Sequence, residues 1–200
     1  MKILIVGATG LIGGAVADAL SANHDIINAG YSDGDVKVDL GSKASIEAMF
    51  KSIDTVDAVV STAGLAGFAP FNDLDDAAYD LALGNKVMGQ INLVRVGQNH
   101  ISDGGSFTLT AGILSREPMP GSVVISLANG ALESFAKATA LELDRGLRVN
   151  TVSPVFVKET MEKMGMDPSS GLSASDTAKA YVAAIEGCMN GETLDAPDYA

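Results

Sequence analysis

Ile3-Leu4-Ile5-Val6-Gly7-Ala8-Thr9-Gly10-Leu11-Ile12-Gly13 is the stretch from which the rest of the chain can be read. The apolar run from Ile3 to Val6 does not alternate with polar residues and stops at Gly7, so it predicts a short buried strand. It is too short for a signal-peptide core or a membrane span, which leads to the expectation of a cytoplasmic protein. Leu11 to Ala22 is rich in Ala and Leu and predicts a helix. Glycine supplies the positive φ that a strand-to-helix turn needs, and lets a pyrophosphate approach the backbone. The helix start adds free N–H groups and the positive end of a dipole. The turn therefore predicts a dinucleotide site. A glycine-lined packing turn without a ligand is the plainer alternative.

Outward from this turn, β-like runs alternate with helical stretches. Ile26 to Ala29 and Val36 to Val38 read as strands. Ser42 to Ser52 reads as a helix with Ile46, Met49 and Phe50 on one face. Ala58 to Ser61 is a fourth strand, Asp75 to Leu83 and Lys86 to Gln98 are two helices, and Ser106 to Thr110 is a fifth strand. Ser122 to Arg145 is the longest helix expected, with a stripe of Ala128, Ala131, Leu132, Phe135 and Ala138. Arg148 to Val152 is a sixth strand. Asp176 to Cys188 is a helix, with Ser173 and Asp176 at capping-box spacing, and Thr193 to Asp195 is a last strand. Met166 to Ser175 reads as a loop. Strands separated by helices form βαβ units, and these predict an α/β fold with a doubly wound parallel sheet of Rossmann type. The 200 residues fit a single domain, because cores split only above about 250 residues.

Hydrophobic residues make up 47% of the chain but aromatics only 5%, so small aliphatic side chains must fill the core. A net charge of -12 argues against a nucleic-acid partner and against an anionic membrane surface. Cys188 is the single cysteine, which excludes an internal disulfide and a zinc cluster. His24 and His100 fall in connections near opposite strand ends. Without a carboxylate or cysteine partner in sequence range they suggest neither a metal site nor a catalytic triad.

Five motifs in order resemble the short-chain dehydrogenase/reductase family nearly end to end: the turn Gly7 to Gly13, Val38-Asp39-Leu40, Ser61-Thr62-Ala63-Gly64, Arg148 to Pro154, and Asn190-Gly191-Glu192-Thr193-Leu194. The resemblance implies NAD or NADP as coenzyme. It implies that Gly7, Thr9, Gly10, Leu11, Ile12 and Gly13 cradle the pyrophosphate, that Asp39 and Leu40 meet adenine, and that Ala63 and Gly64 meet the adenosine ribose. Pro154, Val155 and Val157 would line the nicotinamide, with Val155 in place of the family's glycine. Coenzyme choice is read at Ala29-Gly30-Tyr31-Ser32-Asp33, where neither an acidic residue at Gly30 nor an Arg at Tyr31 decides it. Tyr31 and Ser32 offer neutral hydroxyls there, and the choice stays open.

The family's reaction is hydride transfer assisted by a Tyr with a Lys four residues on. A free phenol has a pKa of about 10 and needs that help near neutral pH. By position, the resemblance puts Ile125 and Asn129 there. The four tyrosines, Tyr31, Tyr79, Tyr181 and Tyr199, all lie elsewhere. Asn129 could hydrogen-bond the nicotinamide ribose or be a plain surface amide. Thr110 is the best match for the family's carbonyl-polarising Ser, with Ser126 a second hydroxyl. Lys86 falls at the family's Asn position, although a one-residue slip puts Asn85 there. If Lys86 points inward, burial would lower its pKa into a useful range; a solvated surface lysine is the ordinary alternative. Arg116 could hold an acidic substrate or sit on a solvated loop. The resemblance also implies a homodimer or homotetramer. Three readings follow: an oxidoreductase with a non-standard proton donor, a dinucleotide-binding sensor or partner without turnover, and a relic that binds nothing.

Overall fold

The computed structural model describes residues 1–200. Seven strands form one sheet: β1 (Lys2–Val6), β2 (Asp25–Gly30), β3 (Val36–Lys37), β4 (Val56–Ser61), β5 (Ile101–Thr110), β6 (Arg148–Ser153) and β7 (Thr193–Asp195). All neighbours pair in parallel, in the order β3-β2-β1-β4-β5-β6-β7. The helices are α1 (Leu11–Leu20), α2 (Lys43–Ser52), α3 (Asp76–Leu81), α4 (Met88–Gly97), α5 (Val123–Thr139), α6 (Lys158–Lys163) and α7 (Ala174–Glu186).

The two-residue period of a strand explains the two cores. Ile3 and Ile5 of β1 point to one face, where Val16 and Leu20 of α1 and Tyr181, Ala184 and Ile185 of α7 cover them. Leu4 and Val6 point to the other, under Ile46, Met49 and Phe50 of α2, Leu93 of α4 and Leu132 of α5. Each buried aliphatic side chain contributes about 1.5–3 kcal/mol. Hydroxyl and carboxylate caps fix helix starts: Ser42 accepts from Ser45 N, Asp75 from Ala78 N, and Ser173 from Asp176 N. The strand order reverses between β1 and β4, which leaves a crevice at their carboxyl ends, where ligands bind in open parallel sheets. The backbones following both strands are pinned there, with Gly7 N donating to Ala29 O at 2.8 Å and Thr62 N to Val6 O at 2.9 Å.

Several expectations are corrected. The helices expected at 75–83 and 86–98 are one continuous run, because a π-helical turn at Ala82–Val87 carries the backbone through Gly84 and Asn85. The helix expected to reach Arg145 stops at Thr139. Beyond it Arg145, with φ 58°, sits in the left-handed region, while its side chain bonds Ile101 O and Asp103. The buried face of α5 is Val124, Ala128, Leu132 and Ala136 with Asn129 and Glu133; Ala138 of the expected stripe is exposed. The helix expected from Asp176 begins at Ala174, and the Asp176 carboxylate accepts from the Ser173 hydroxyl at 2.7 Å. His24 and His100 both precede strands at the amino edge of the sheet, not at opposite ends. His24 has a carboxylate partner, Glu186, at 2.9 Å, and His100 stacks on Phe50.

Candidate active site

A cleft of about 580 Å3 opens at the carboxyl ends of β1, β2 and β4. Of the residues expected to hold a coenzyme, Gly7, Thr9, Gly10, Tyr31, Asp39, Leu40, Ala63 and Gly64 line it, joined by Thr62, Leu65 and Asn85. The Asp39 carboxylate accepts from Gly41 N at 2.8 Å with one oxygen, and its other oxygen has no partner in the chain. Leu40 is buried against Gly89, where a Cβ would fall 2.8 Å from it.

The turn before α1 is built for close approach. Gly7 has φ +92°, and a Cβ on Gly13 would sit 2.1 Å from Gly7 O. Gly13 is therefore a packing glycine that lets α1 start against the turn, and it does not line the cleft itself. No side chain caps α1, and the N–H groups of Leu11, Ile12 and Gly13 have no acceptor in the chain. Three donors at the positive end of a ten-residue helix are thus left without a partner. The side chains of Leu11, Ser32 and Val157 lie outside both cavities. Ser32 is exposed and donates to Asp33 at 2.9 Å; Val157 is buried where α6 begins and bridges to Leu172.

A second cavity of about 200 Å3 adjoins the same turn through Ile12. Lys86, Thr110, Ile125, Asn129, Pro154 and Val155 line it, together with Phe68 and Phe156. Lys86 points inward from the π turn and is only 8% exposed, so the solvated-lysine alternative does not hold. Its stem lies against Gly64, where a Cβ would come within 2.8 Å of Lys86 Cγ. Its Nζ donates to Ala111 O at 3.2 Å and forms no ion pair. Burial without a counter-charge lowers its pKa from 10.5 to about 8. Asn129 reaches the next carbonyl, with Nδ2 donating to Gly112 O at 3.3 Å. Its Oδ1 is buried without a partner. Successive carbonyls thus bring an amine and an amide to one wall.

Thr110 borders this cavity, but its hydroxyl is engaged elsewhere. Its Oγ1 lies 2.6 Å from Ser61 O and 2.7 Å from the Tyr181 hydroxyl. The expectation of a free Thr110 donor is corrected by these two partners. Tyr181 is fully buried, which pushes its pKa up, and it does not line the cavity. Arg116 is also committed within the chain. It forms a bidentate pair with Asp195, donates to Ser153 Oγ at 2.9 Å, and lies 3.6 Å from Glu133. This pairing holds the Asp195 carboxyl below its usual range and removes Arg116 as a free anchor for an acidic substrate.

A model of the family described as enoyl-(acyl carrier protein) reductase matches residues 11–185. The chain belongs to the short-chain dehydrogenase/reductase family. The protein lin1944 from Listeria innocua is 38% identical, with a TM-score of 0.94 over 98% of each chain. A small-chain dehydrogenase solved in complex with NADPH is 28% identical, with a TM-score of 0.85 over 98% of this chain and 95% of that one. An uncharacterized oxidoreductase of Methylorubrum extorquens is 25% identical, over 77% of this chain and 72% of its own. The chain spans 43% to 60% of the length of other curated relatives that it matches.

Sequence reading missed Gln90. Its fully buried amide grips the Thr110 backbone from both sides, donating to Thr110 O at 3.1 Å and accepting from Thr110 N at 2.8 Å. It also missed Phe68 and Phe156, whose rings lie 6.0 Å apart over the second cavity. A glutamine within an otherwise apolar helix face is the one signal that could have found the first. The aromatic pair joins residues 88 positions apart and leaves no local pattern.

Proposed function

We propose that this chain is an NAD- or NADP-dependent oxidoreductase acting on a carbonyl or hydroxyl substrate through a non-standard active site. The observation that carries the reading is that one glycine turn borders both cavities. It contributes Gly7, Thr9 and Gly10 to the larger and Ile12 to the smaller, where Lys86 and Asn129 converge.

The residues present fit a dinucleotide. The Gly7–Gly13 turn leaves backbone where side chains would clash, and the free N–H groups of Leu11, Ile12 and Gly13 suit a pyrophosphate. Asp39 and Leu40 would hold adenine, Ala63 and Gly64 the adjoining ribose, and Tyr31 and Ser32 the edge that sets coenzyme choice. Pro154, Val155 and Val157 would flank the nicotinamide, which supplies or accepts the hydride when bound. Lys86, near its own pKa at neutral pH, gives a proton to the carbonyl oxygen or takes one from the alcohol. The unpartnered Asn129 Oδ1 accepts from a ribose hydroxyl. Ile125 stands where the resemblance places the family's phenol, so Lys86 takes over its task. Thr110 acts as a positioning residue that ties β5 to β4.

Exposed Leu83, Met88 and Leu127 on neighbouring helices favour a homodimer or homotetramer. The exposed free thiol of Cys188 suits the reducing cytoplasm. No helix is long and apolar enough to cross a membrane. Calorimetric titration with NADPH and then NADH, on protein checked to carry no copurified coenzyme, tests the reading. Saturable binding of either is expected; absence of both from a folded sample overturns it.

A further inference from the structure

One ring of the aromatic pair over the second cavity has a second face to account for. Phe68 lines it and also lines a separate groove of about 570 Å3. That groove runs between the segment after β4 and the segment before α5, and Ala69 N donating to Gly121 O at 3.1 Å joins the two walls. No charged side chain lines it. Its large members stay open to solvent: Phe71 is 67% exposed, and Phe68, Met119 and Val123 are each 40% to 45% exposed. Single exposed apolar residues are ordinary, but a contiguous set of them marks a binding surface. Pro70 and Pro120 stiffen the two segments, and Met119 is a side chain that adapts to varied shapes.

We propose that this groove takes the apolar tail of the substrate, so that the substrate class is a ketone or secondary alcohol bearing an extended hydrocarbon or flat apolar group. The proposal rests on the oxidoreductase reading. The reacting carbon sits by Lys86 in the small cavity, whose volume of about 200 Å3 holds only a few carbons. The tail leaves past Phe68 and lies on Phe71, Met119 and Val123. Phe68 borders both the cavity and the groove, and this adjacency to the reacting end favours a substrate tail over a protein segment. The absence of charge along the groove favours hydrocarbon over a phosphorylated or carboxylate tail.

The test is calorimetric binding of 2-pentanone and 2-nonanone to the chain, alone and saturated with oxidised coenzyme. Half-burial of each added methylene gives about a 2-fold gain, so four of them give roughly 15-fold tighter binding of the longer ketone. Phe71→Asp is mostly surface-exposed and should keep the fold, checked by thermal melting. It should reduce the difference to under 3-fold, while 2-pentanone and NADPH binding stay unchanged. Equal affinity for the two ketones overturns the proposal, as does a length dependence that survives in Phe71→Asp. A Phe71→Asp variant that splits an oligomer on sedimentation but leaves ketone binding alone would assign the groove to a second copy instead, and also overturns it. Failure of the coenzyme reading shows separately, as loss of NADPH and NADH binding.

Discussion

Replacing Lys86 with Met should make the protein more stable and less active at once. The ammonium is buried without a counter-ion, and its pKa falls from 10.5 to about 8, a drop worth about 3 kcal/mol against the charged folded state. Between pH 8 and 10.5 the unfolded chain binds more protons than the folded one, so wild-type stability rises with pH across that window. Below pH 8 the burial penalty is present in full. Methionine removes the charge and keeps most of the volume, but leaves the Ala111 carbonyl without its donor, which costs about 1 kcal/mol. Lys86→Met should therefore gain about 2 kcal/mol at pH 7, or roughly 5 °C in Tm for a chain of this size. At pH 10 the gap should close to within about 1 kcal/mol. Urea unfolding of both proteins at the two pH values, followed by circular dichroism, measures this. A variant less stable at pH 7, or a difference independent of pH, would refute the argument that an unpaired ammonium is held in the site. Turnover should fall by at least about 100-fold in the same variant if Lys86 is the proton donor.

Gly13→Ala places a methyl 2.1 Å from Gly7 O, a backbone atom that cannot swing away. NADPH affinity by calorimetry should drop at least about 10-fold, with about 1–3 kcal/mol of stability lost to overpacking. Thr110→Val strips a hydroxyl held by Ser61 O and Tyr181. Urea unfolding should show a loss of about 1–3 kcal/mol, with the coenzyme Kd unchanged; a changed Kd with intact stability would contradict a positioning role. Arg116→Met leaves Asp195 without its partner. Because Arg116 holds the Asp195 carboxyl low, that pair stabilises the fold above the ordinary Asp pKa and loses its effect as pH falls through the depressed value. Acid unfolding followed by circular dichroism should show a shallower loss of stability at low pH in the variant than in the wild type.

The sheet was legible because its determinants are local. Short apolar runs, a glycine turn and capping hydroxyls lie within a few residues of what they decide. The ends of elements were less so. Ala138 to Arg145 has helical composition, and only the contact of Arg145 with residues some forty positions earlier explains the turn that follows. The coenzyme cleft followed from motifs at strand ends, which the parallel sheet brings together of necessity. The second cavity did not follow in the same way. Whether Lys86 faces inward depends on the π turn and on Gly64, and neither choice is written in the residues around it. The Thr110 hydroxyl is engaged by Tyr181, 71 positions on, a contact that no local pattern announces. Arg116 is held because β7 brings Asp195 beside it across 79 positions, a distance that sequence neighbours cannot signal.

The π turn at Ala82–Val87 holds one residue more than an α-helical path would need. In angular terms it is a phase slip of about 100° between α3 and α4. Gly84, with open space around it, can be regarded as the spare residue. An α-helical path through the same points would have a single position where this chain has two, and an amide and an amine would compete for it. The extra residue admits both. Asn85 faces the larger cleft, where it accepts from Leu65 N at 2.9 Å, and Lys86 faces the smaller cavity. Two residues adjacent in sequence thus serve two different cavities from one turn, one with a neutral amide and the other with a titratable amine.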